Sequence, residues 1–341
     1  LNHRDLYLCH LHIKKEINFD NIEIYLIDLH RAQIRSNVPK RWLIKDLGGF
    51  FHSVMQFKLS ERDFYRFMMF YYQCSFKDLI KNHHKMINKI LERAFFMYLK
   101  PLLKDSSLKS SKELSENSPY YKKVEQSSRW ISKRNIEIED FMKLFSDESI
   151  LLKSGEVIKN EEGHLIVKVK IQDQNYYIKK YRIKGFFHGL SRLFKKTRAN
   201  NSWTTSCWLN AAGIKTAKPI LLYELDGVFG ARTSYFVTEE IEGNRLDMAL
   251  EEGTNIDFTV SKLHSFFKRM NWIKFIHGDV KTSNFYINQK GLVVFDLDSA
   301  GKRFSKYLYK KSVLRDKNRI LSSLEDHHEI YSKLAKRFQR S

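Results

Sequence analysis

In the stretch FIHGDVKTSNFYINQKGLVVFDLDSA, residues 275–300, a carboxylate at Asp279, an ammonium at Lys281, an amide at Asn284 and a second carboxylate at Asp296 follow one another at short intervals. Such a set can move a phosphoryl group. Transfer from ATP requires that an acceptor hydroxyl be oriented and relieved of its proton, which Asp279 would do, and that Mg2+ bridge the triphosphate through hard oxygen ligands, which Asn284 and Asp296 would supply. Lys281 would offset charge on the group in transit. The same letters would also suit a solvated Asp/Asn turn between two strands. What argues for chemistry is that His277, Lys281 and an aspartate closing an apolar strand occur together.

The spacing H-x-D-x-x-x-x-N, followed by an apolar strand ending in Asp, resembles the catalytic-loop and metal-binding pair of protein-kinase-like phosphotransferases, with HGD in place of HRD and DLD in place of DFG. Other elements must position these groups. From residue 150, ILLKSGEVIK, HLIVKVKI and NYYIKKYRI read as strands separated by Gly, Asn and Asp turns, which suits an antiparallel amino lobe over about 150–240. In YYIKKY the likeness to V-A-I-K gives Lys179 the place of the lysine that grips ATP phosphates, and alternation puts Lys180 on the opposite face. A solvated strand lysine is the alternative. No G-x-G-x-x-G precedes HLIVKVKI, so a phosphate-covering loop would depend on Gly155 and Gly163. The helix expected over about 199–212 has no acidic residue, so a partner for Lys179 would have to be Glu224, Glu239, Glu240 or some other arrangement. YFVTEEIEG, residues 235–243, would be the hinge to a mainly helical carboxy lobe over about 244–341. Its end, after Asp298, keeps a helical period through Val313, Leu314, Ile320, Leu321, Leu324, Tyr331, Leu334 and Phe338. That is too short for a peptide-docking platform and favours a small-molecule or glycolipid acceptor.

The first hundred residues repeat the plan. His3 and Asp5 stand as His277 and Asp279 do, His10 follows Asp5 by the interval that separates Asn284 from Asp279, and Asp28 closes an apolar strand as Asp296 does. Only four residues precede Asp5, so the expectation is an isolated carboxy-lobe fragment over 1–104, inactive without an amino lobe, and a chain that begins at Leu1 as a fragment or incomplete reading frame. Phe64, Phe67, Met68, Tyr71 and Tyr72 mark a core-facing helix there. DSSLKSSKELSENS, residues 105–118, has too little apolar surface to offset its ordering entropy and reads, up to Pro119, as a flexible linker before a complete domain over 120–341, with a helix near 138–145.

Composition narrows the partners. The 341 residues carry a formal net charge of +21 with 43% hydrophobic content, which allows a sizeable core and points to an anionic partner: nucleic acid, phosphorylated lipid or acidic saccharide. Part of that charge is accounted for by solvated helix faces. KKYRIKGFFHGLSRLFKKTR, residues 179–198, has eight Lys/Arg and no acid among its aromatics, which suits a membrane surface, a nucleic-acid backbone or a covering amphipathic helix equally. No apolar run approaches the roughly 20 residues that span a bilayer, and no leader is read at the start. Cys9, Cys74 and Cys207 form neither a disulfide framework nor a metal pattern, as suits a reducing cytosol.

HRDLYLCHL, LIDLHRAQIR, PKRWLIKDLGGFFHS and RDFYRFM resemble the C-terminal half of the lipopolysaccharide core heptose kinases of the Kdo/WaaP family. KKYRIKGFFHGLSRLFKKTRANNSW, LNAAGIKTAKPILLYE, YFVTEEIEG, HGDVKTSNF and FDLDSA, within 155–303, resemble the InaA-like branch of that family. The resemblance implies an α+β, protein-kinase-like two-lobed fold and an ATP- and Mg2+-dependent kinase of a lipopolysaccharide inner-core sugar (heptose or Kdo), acting on the inner face of the bacterial inner membrane. It further implies that Asp279 is the base, Asn284 and Asp296 the metal ligands and Lys179 the phosphate-binding lysine. In the first unit, Asp5 would be the catalytic aspartate and His10 would replace the metal-binding asparagine. Two other readings stand beside it: a soluble phosphotransferase of the aminoglycoside or choline kinase type, which also uses HGD, and a non-catalytic pseudokinase that binds anionic glycolipid. Nothing in the chain resembles a nucleic-acid reader motif.

Overall fold

The computed structural model describes all residues except 15–21, 58–60, 105, 107–117, 183–196, 227–231, 304 and 340–341. Most of the Ser-rich segment and most of the basic, aromatic stretch 179–198 therefore lie outside the described residues. The chain divides into two compact units, Leu1–Pro101 and Leu102–Ser341.

In the first unit, β1 (Leu11–Ile13) pairs antiparallel with β2 (Ile24–Leu26), and helices Lys40–Val54, Glu61–Tyr72 and His84–Leu102 follow. Leu47, Phe51, Phe64, Met68, Ile87 and Ile90 meet in one core. Helical spacing anticipates Phe64 and Met68 there, whereas Tyr71 is 45% exposed: the helix turns a narrower apolar stripe inward than the run of aromatics suggests.

The second unit is built on an antiparallel sheet of seven strands, β3 (Tyr120–Val124), β4 (Ser128–Lys133), β5 (Gly155–Glu161), β6 (His164–Ile171), β7 (Gln174–Tyr181), β8 (Pro219–Asp226) and β9 (Arg232–Glu239), in the order β3-β4-β8-β9-β7-β6-β5. Strands β3 (Tyr120–Val124) and β4 (Ser128–Lys133) extend it beyond the boundary near residue 150, because β4 pairs with β8 (Pro219–Asp226). Alternation decides what each face covers. From β6 (His164–Ile171), Leu165, Val167 and Val169 point to one face, where they join Tyr176 and Ile178 of β7 (Gln174–Tyr181) and Tyr235 and Val237 of β9 (Arg232–Glu239). Phe141, Phe145 and Leu151, from helices Ile138–Phe145 and Glu148–Lys153, close that face. On the opposite face, helix Arg198–Ala211 seats Trp203 and Cys207 against Tyr181, Leu222 and Phe236. Its Thr197 cap accepts a bond from Asn200 N at 3.0 Å.

Below the sheet, helix Ile256–Ile273 starts at an Asn255 cap, buries Val260, Leu263, Phe266, Phe267 and Met270, and stops at Lys274 in the left-handed region (φ 57°). It backs the small sheet β10 (Asn244–Arg245), β12 (Phe285–Asn288) and β13 (Gly291–Val294), while β11 (Phe275–Ile276) pairs with β14 (Gly301–Lys302). Helices Lys306–Ser322 and His328–Gln339 complete the unit. Ile320, Leu324 and Leu334 of the C-terminal period are buried, but Leu314 is 60% exposed. Among the described residues no helix is long and apolar enough to cross a membrane.

Candidate active site

Strand β11 delivers the chain into the loop that holds Asp279, and β12 and β13 bring Asn284 and Asp296 back toward it. The loop is tied to helix Lys306–Ser322 by a buried carboxylate: Asp316 accepts from His277 N at 2.8 Å and from Gly278 N at 3.1 Å. Gly278 has φ +86°, and an added Cβ there would sit 3.0 Å from the Ser299 carbonyl oxygen, so glycine suits this turn on both counts. His277 is fully buried and neutral. Its Nε2 donates to the Phe295 carbonyl at 3.1 Å and its Nδ1 accepts from Asp279 N at 3.3 Å, while burial holds its pKa below the ordinary histidine value. This imidazole is a strut that fixes the backbone on both sides of the site. At the loop's far end Asn284 Nδ2 donates to the Asp279 carbonyl at 2.8 Å and lies 3.3 Å from its Oδ2. Lys281 Nζ lies 3.5 Å and Arg319 NH1 3.7 Å from the Asp279 carboxylate, and Arg319 also donates to the Gly278 carbonyl.

Across the cleft, β7 places Lys179 on the face away from Phe141 and Phe145. Its Nζ donates to Asp296 Oδ1 and to Asp298 Oδ2, each at 2.8 Å. Burial works against the lysine's charge, yet the two carboxylates outweigh it and hold its pKa above the ordinary value; burial likewise opposes, and Lys179 reverses, the shift on Asp296, which is held low. Lys180 points the other way, to Glu148 at 2.8 Å. None of the glutamates considered from the sequence is the partner of Lys179. Glu224 is held by Arg129 and Thr197, Glu239 by Lys133 and Lys218, and Glu240 by Lys168 and Asn175. Asp298 fills the role instead, kept in place by Tyr181 and by Ser202 Oγ at 2.9 Å from the acid-free helix Arg198–Ala211. Asn201 of the same helix donates to the Asp298 and Ala300 carbonyls at 3.0 and 2.8 Å. Asp298, Asp316, Ser202 and Arg319 are the site residues that motif spacing missed. The D-x-D of FDLD is the one signal that points to any of them.

Two chambers meet here. A cleft of about 440 Å3 is lined by Lys179, Asn284, Asp296 and Asp298, with apolar walls from Ile166, Phe236 and Val294. An open groove of about 700 Å3 is lined by Asp279 and by the exposed face of helix Lys306–Ser322. Asp279 and Asp296 thus border different spaces, and Lys281 borders both. Gly163 sits at the tip of the β5–β6 hairpin, β5 being Gly155–Glu161, and from that hairpin Ile158 and Lys159 reach the cleft. Gly155 does not cover the cleft: a Cβ there would come 2.0 Å from the Lys168 carbonyl oxygen, so it serves the close crossing of two strands.

The donor set suits a magnesium ion. Asn284 spends its Nδ2 on Asp279, and Asp296 spends Oδ1 on Lys179, so Asn284 Oδ1 and Asp296 Oδ2 remain for a hard cation at the cleft. Among the described residues no group of three or more His, Cys, Asp or Glu forms a metal cage, and Mg2+ beside a nucleotide needs none, since it takes one or two protein oxygens and completes its shell from phosphates and water.

The first unit repeats much of this construction, although His3 Nδ1 and Asp46 Oδ1 lack the partners that His277 Nδ1 and the second Asp316 oxygen have. His3 Nε2 donates to the Ile27 carbonyl at 2.9 Å, His10 Nδ1 to the Asp5 carbonyl at 2.9 Å, and Ile27 N to the His10 carbonyl at 3.0 Å, as Phe295 N does to that of Asn284 at 3.1 Å. Asp46 accepts from Arg4 N at 3.0 Å in the manner of Asp316, and Ser53 Oγ accepts from Leu8 N at 2.8 Å as Ser323 Oγ accepts from Thr282 N at 3.1 Å. Asp28 and Asp296 share the left-handed region, with φ 60° and 56°. The differences fall on the chemistry. Where Lys179 meets Asp296, Asp28 has His10 Nε2 at 3.4 Å and His30, and no lysine reaches it among the described residues; Asp5 is paired with Arg31 at 3.0 Å.

The model of the lipopolysaccharide kinase (Kdo/WaaP) family matches residues 1–71 and 148–335. The lipopolysaccharide core heptose(I) kinase WaaP of Escherichia coli is 41% identical over 96 residues, covering 28% of this chain and 36% of that protein. WaaP of Pseudomonas aeruginosa is 35% identical over 100 residues, covering 29% and 37%. The chain thus matches these relatives over little more than a third of their length. A solved structure of WaaP in complex with acyl carrier protein superposes with a TM-score of 0.44 at 16% identity, over 62% of this chain and 89% of that one. Together the two matched segments take in well over half of the sequence, and the chain belongs to the lipopolysaccharide kinase (Kdo/WaaP) family.

Proposed function

We propose that the second unit has a protein-kinase-like two-lobed fold and transfers the γ-phosphoryl group of ATP to a sugar hydroxyl, heptose or Kdo, of the lipopolysaccharide inner core at the inner face of the inner membrane. The observation that carries this reading is the cleft in which Lys179, Asn284 and Asp296 stand together, with Asp279, whose carboxylate is 3.3 Å from Asn284 Nδ2, on the adjoining groove. Lys179 binds nucleotide phosphates, Asn284 and Asp296 hold Mg2+, and Asp279 orients the acceptor hydroxyl and takes its proton. Lys281, between the chambers, offsets charge as the group passes. Bound Mg2+ supplies charge neutralisation at the triphosphate.

The aminoglycoside or choline kinase type would call for an acidic acceptor pocket, and the groove beside Asp279 is basic. A pseudokinase would have no chemical use for two metal-facing oxygens at Asn284 and Asp296. Replacing Asp279 by Asn tests the assignment: transfer of phosphate to purified core acceptor should fall about 10²- to 10⁴-fold, and an unchanged rate removes Asp279 from the mechanism. Thermal stabilisation by ATP that grows when Mg2+ is added separates an enzyme from a binding module, which would show no metal-dependent shift.

A further inference from the structure

A third space in the second unit, a pocket of about 250 Å3, shares the Val294 wall of the cleft. Three elements build it: the turn at residues 213–215 between helix Arg198–Ala211 and β8, one face of helix Ile256–Ile273, and the turn that joins β12 to β13. Each brings positive charge. Lys215 comes from the first, Lys262 and Arg269 from the second and Lys290 from the third, and no carboxylate lines the space among the described residues. The guanidinium is fixed in place: Arg269 Nη1 donates to the carbonyls of Ala212 at 3.2 Å and Gly213 at 2.9 Å. Gly213 has φ +73°, and a Cβ there would collide with that guanidinium, so the seat requires glycine on both counts. Lys262 lies along Gly291, where a Cβ would be 3.7 Å from its Cε, and its Nζ stands 4.9 Å from the Phe258 ring. Lys215 Nζ donates to the Lys290 carbonyl at 2.9 Å. Only Lys290 faces an acid, Glu242 at 3.5 Å, and both of those side chains are largely exposed.

Lysines on a solvated helix face point apart, whereas these cations come from three separate elements and converge on one concavity. Their mutual repulsion is relieved only by an anion between them. The space is smaller than the roughly 300 Å3 at which pockets for drug-sized ligands begin, and it suits one or two phosphoryl groups. A guanidinium anchored through Nη1 presents its remaining N–H groups in the planar fork that matches phosphate oxygens, and the two lysines add point charges beside it. We infer that this pocket binds a small phosphate-bearing anion, a phosphate monoester or a diphosphate, at a site distinct from the cleft, with Arg269, Lys262 and Lys215 as its donors. The pocket is fastened to the strand that leads to Asp296: Val294 N donates to the Lys215 carbonyl at 2.9 Å, and Thr216 forms a parallel bridge with Val294. Phe266, in the same lining, packs edge-on at 5.2 Å against Phe285, the residue after Asn284. Binding here goes beyond the proposed function and does not rest on it.

Calorimetric titration of the full chain with pyrophosphate, in the absence of Mg2+, tests it. Replacing Lys215 and Lys262 together by Gln should weaken one class of pyrophosphate site by about 10- to 100-fold, as expected for loss of one or two charge-assisted hydrogen bonds. The salt dependence of that site should flatten, while the melting temperature without anion stays unchanged. Ser265→Glu keeps every cation and sets a carboxylate among them, since Ser265 lies on the same exposed helix face, and it should weaken the site by a similar factor. Lys179→Met, which disarms the cleft, should leave this site in place. Pyrophosphate affinity equal to wild type in both pocket variants overturns the inference. So does binding that disappears with Lys179→Met and persists in the pocket variants, because the anion then sits in the cleft. A loss confined to vesicles of phosphatidylglycerol, with pyrophosphate binding unchanged, overturns it too, since the cations would then be a membrane contact and not a pocket for a small anion.

Discussion

Asp298 stands where a helix glutamate would face the phosphate-binding lysine of a protein kinase, and it reaches Lys179 from the strand-end turn instead. The cleft lysine is therefore positioned by the same turn that carries Asp296. Changing Asp298 to Asn removes one of two charges on Lys179 and should raise KM for ATP about tenfold, with a smaller effect from Ser202→Ala, which loses only a supporting bond at 2.9 Å; steady-state kinetics in ATP checks both. The cluster also sets a pH window. The Asp296 value is depressed, so its stabilisation is present above 3.8 and is lost as pH falls through the lower folded value. The Lys179 value is raised, so its contribution is present below 10.5 and is lost as pH climbs through the higher folded value. Asp279, Lys281, Asn284 and Asp296 were legible because they fall on one loop and the hairpin β12–β13 that follows it, where spacing constrains geometry. Asp298 was not, because its meaning depends on which face of β7 carries Lys179 and on a serine 96 residues away.

The loop that carries Asp279 is stable because another element grips it. Helix Lys306–Ser322 contributes the Asp316 carboxylate and Arg319, and Ser323 just beyond its end contributes a hydroxyl, all to backbone groups of residues 277–282. Replacing Asp316 by Ala strands two buried N–H donors and should cost about 2–4 kcal/mol of stability, measurable by urea denaturation, with activity lost at the same time. His277 supplies the opposite brace. Because its folded pKa lies below 6.5, the unfolded chain takes up a proton on acidification that the folded chain refuses, and stability falls as pH drops below that value. His164 and His264 are shifted in the same direction and add to the slope. The melting temperature should decline between pH 7.5 and 5.5, and His277→Gln should make that decline shallower. Helical periodicity could place this helix but not its function, since Asp316 looks like any polar residue on an amphipathic pattern. Only the backbone turn of a loop 38 residues earlier gives it a task.

The same loop-and-helix device occurs in both units, and among the described residues only the second copy adds a lysine to the strand-end aspartate. The expected consequence is unequal use: Asp5→Asn should leave phosphate transfer within about twofold, while Asp279→Asn lowers it by about 10²-fold or more. The duplication was readable from letters alone because it lies in the spacing of His, Asp and a strand-end Asp. Its depth was not, because the shared interval from Asp46 to Ser53 and from Asp316 to Ser323 gains its meaning only from the backbone bonds that each pair makes. The sheet was underestimated for a related reason. Residues 120–133 join it through pairing with β8, a partner some ninety positions away that no local pattern announces. Among the described residues, the sole ammonium shared by cleft and groove is that of Lys281. Under the proposed function, a nucleotide in the cleft and an acceptor beside Asp279 would be held at the same time, so a ternary complex is expected. Double-reciprocal plots against either reactant should converge on a common point instead of running parallel.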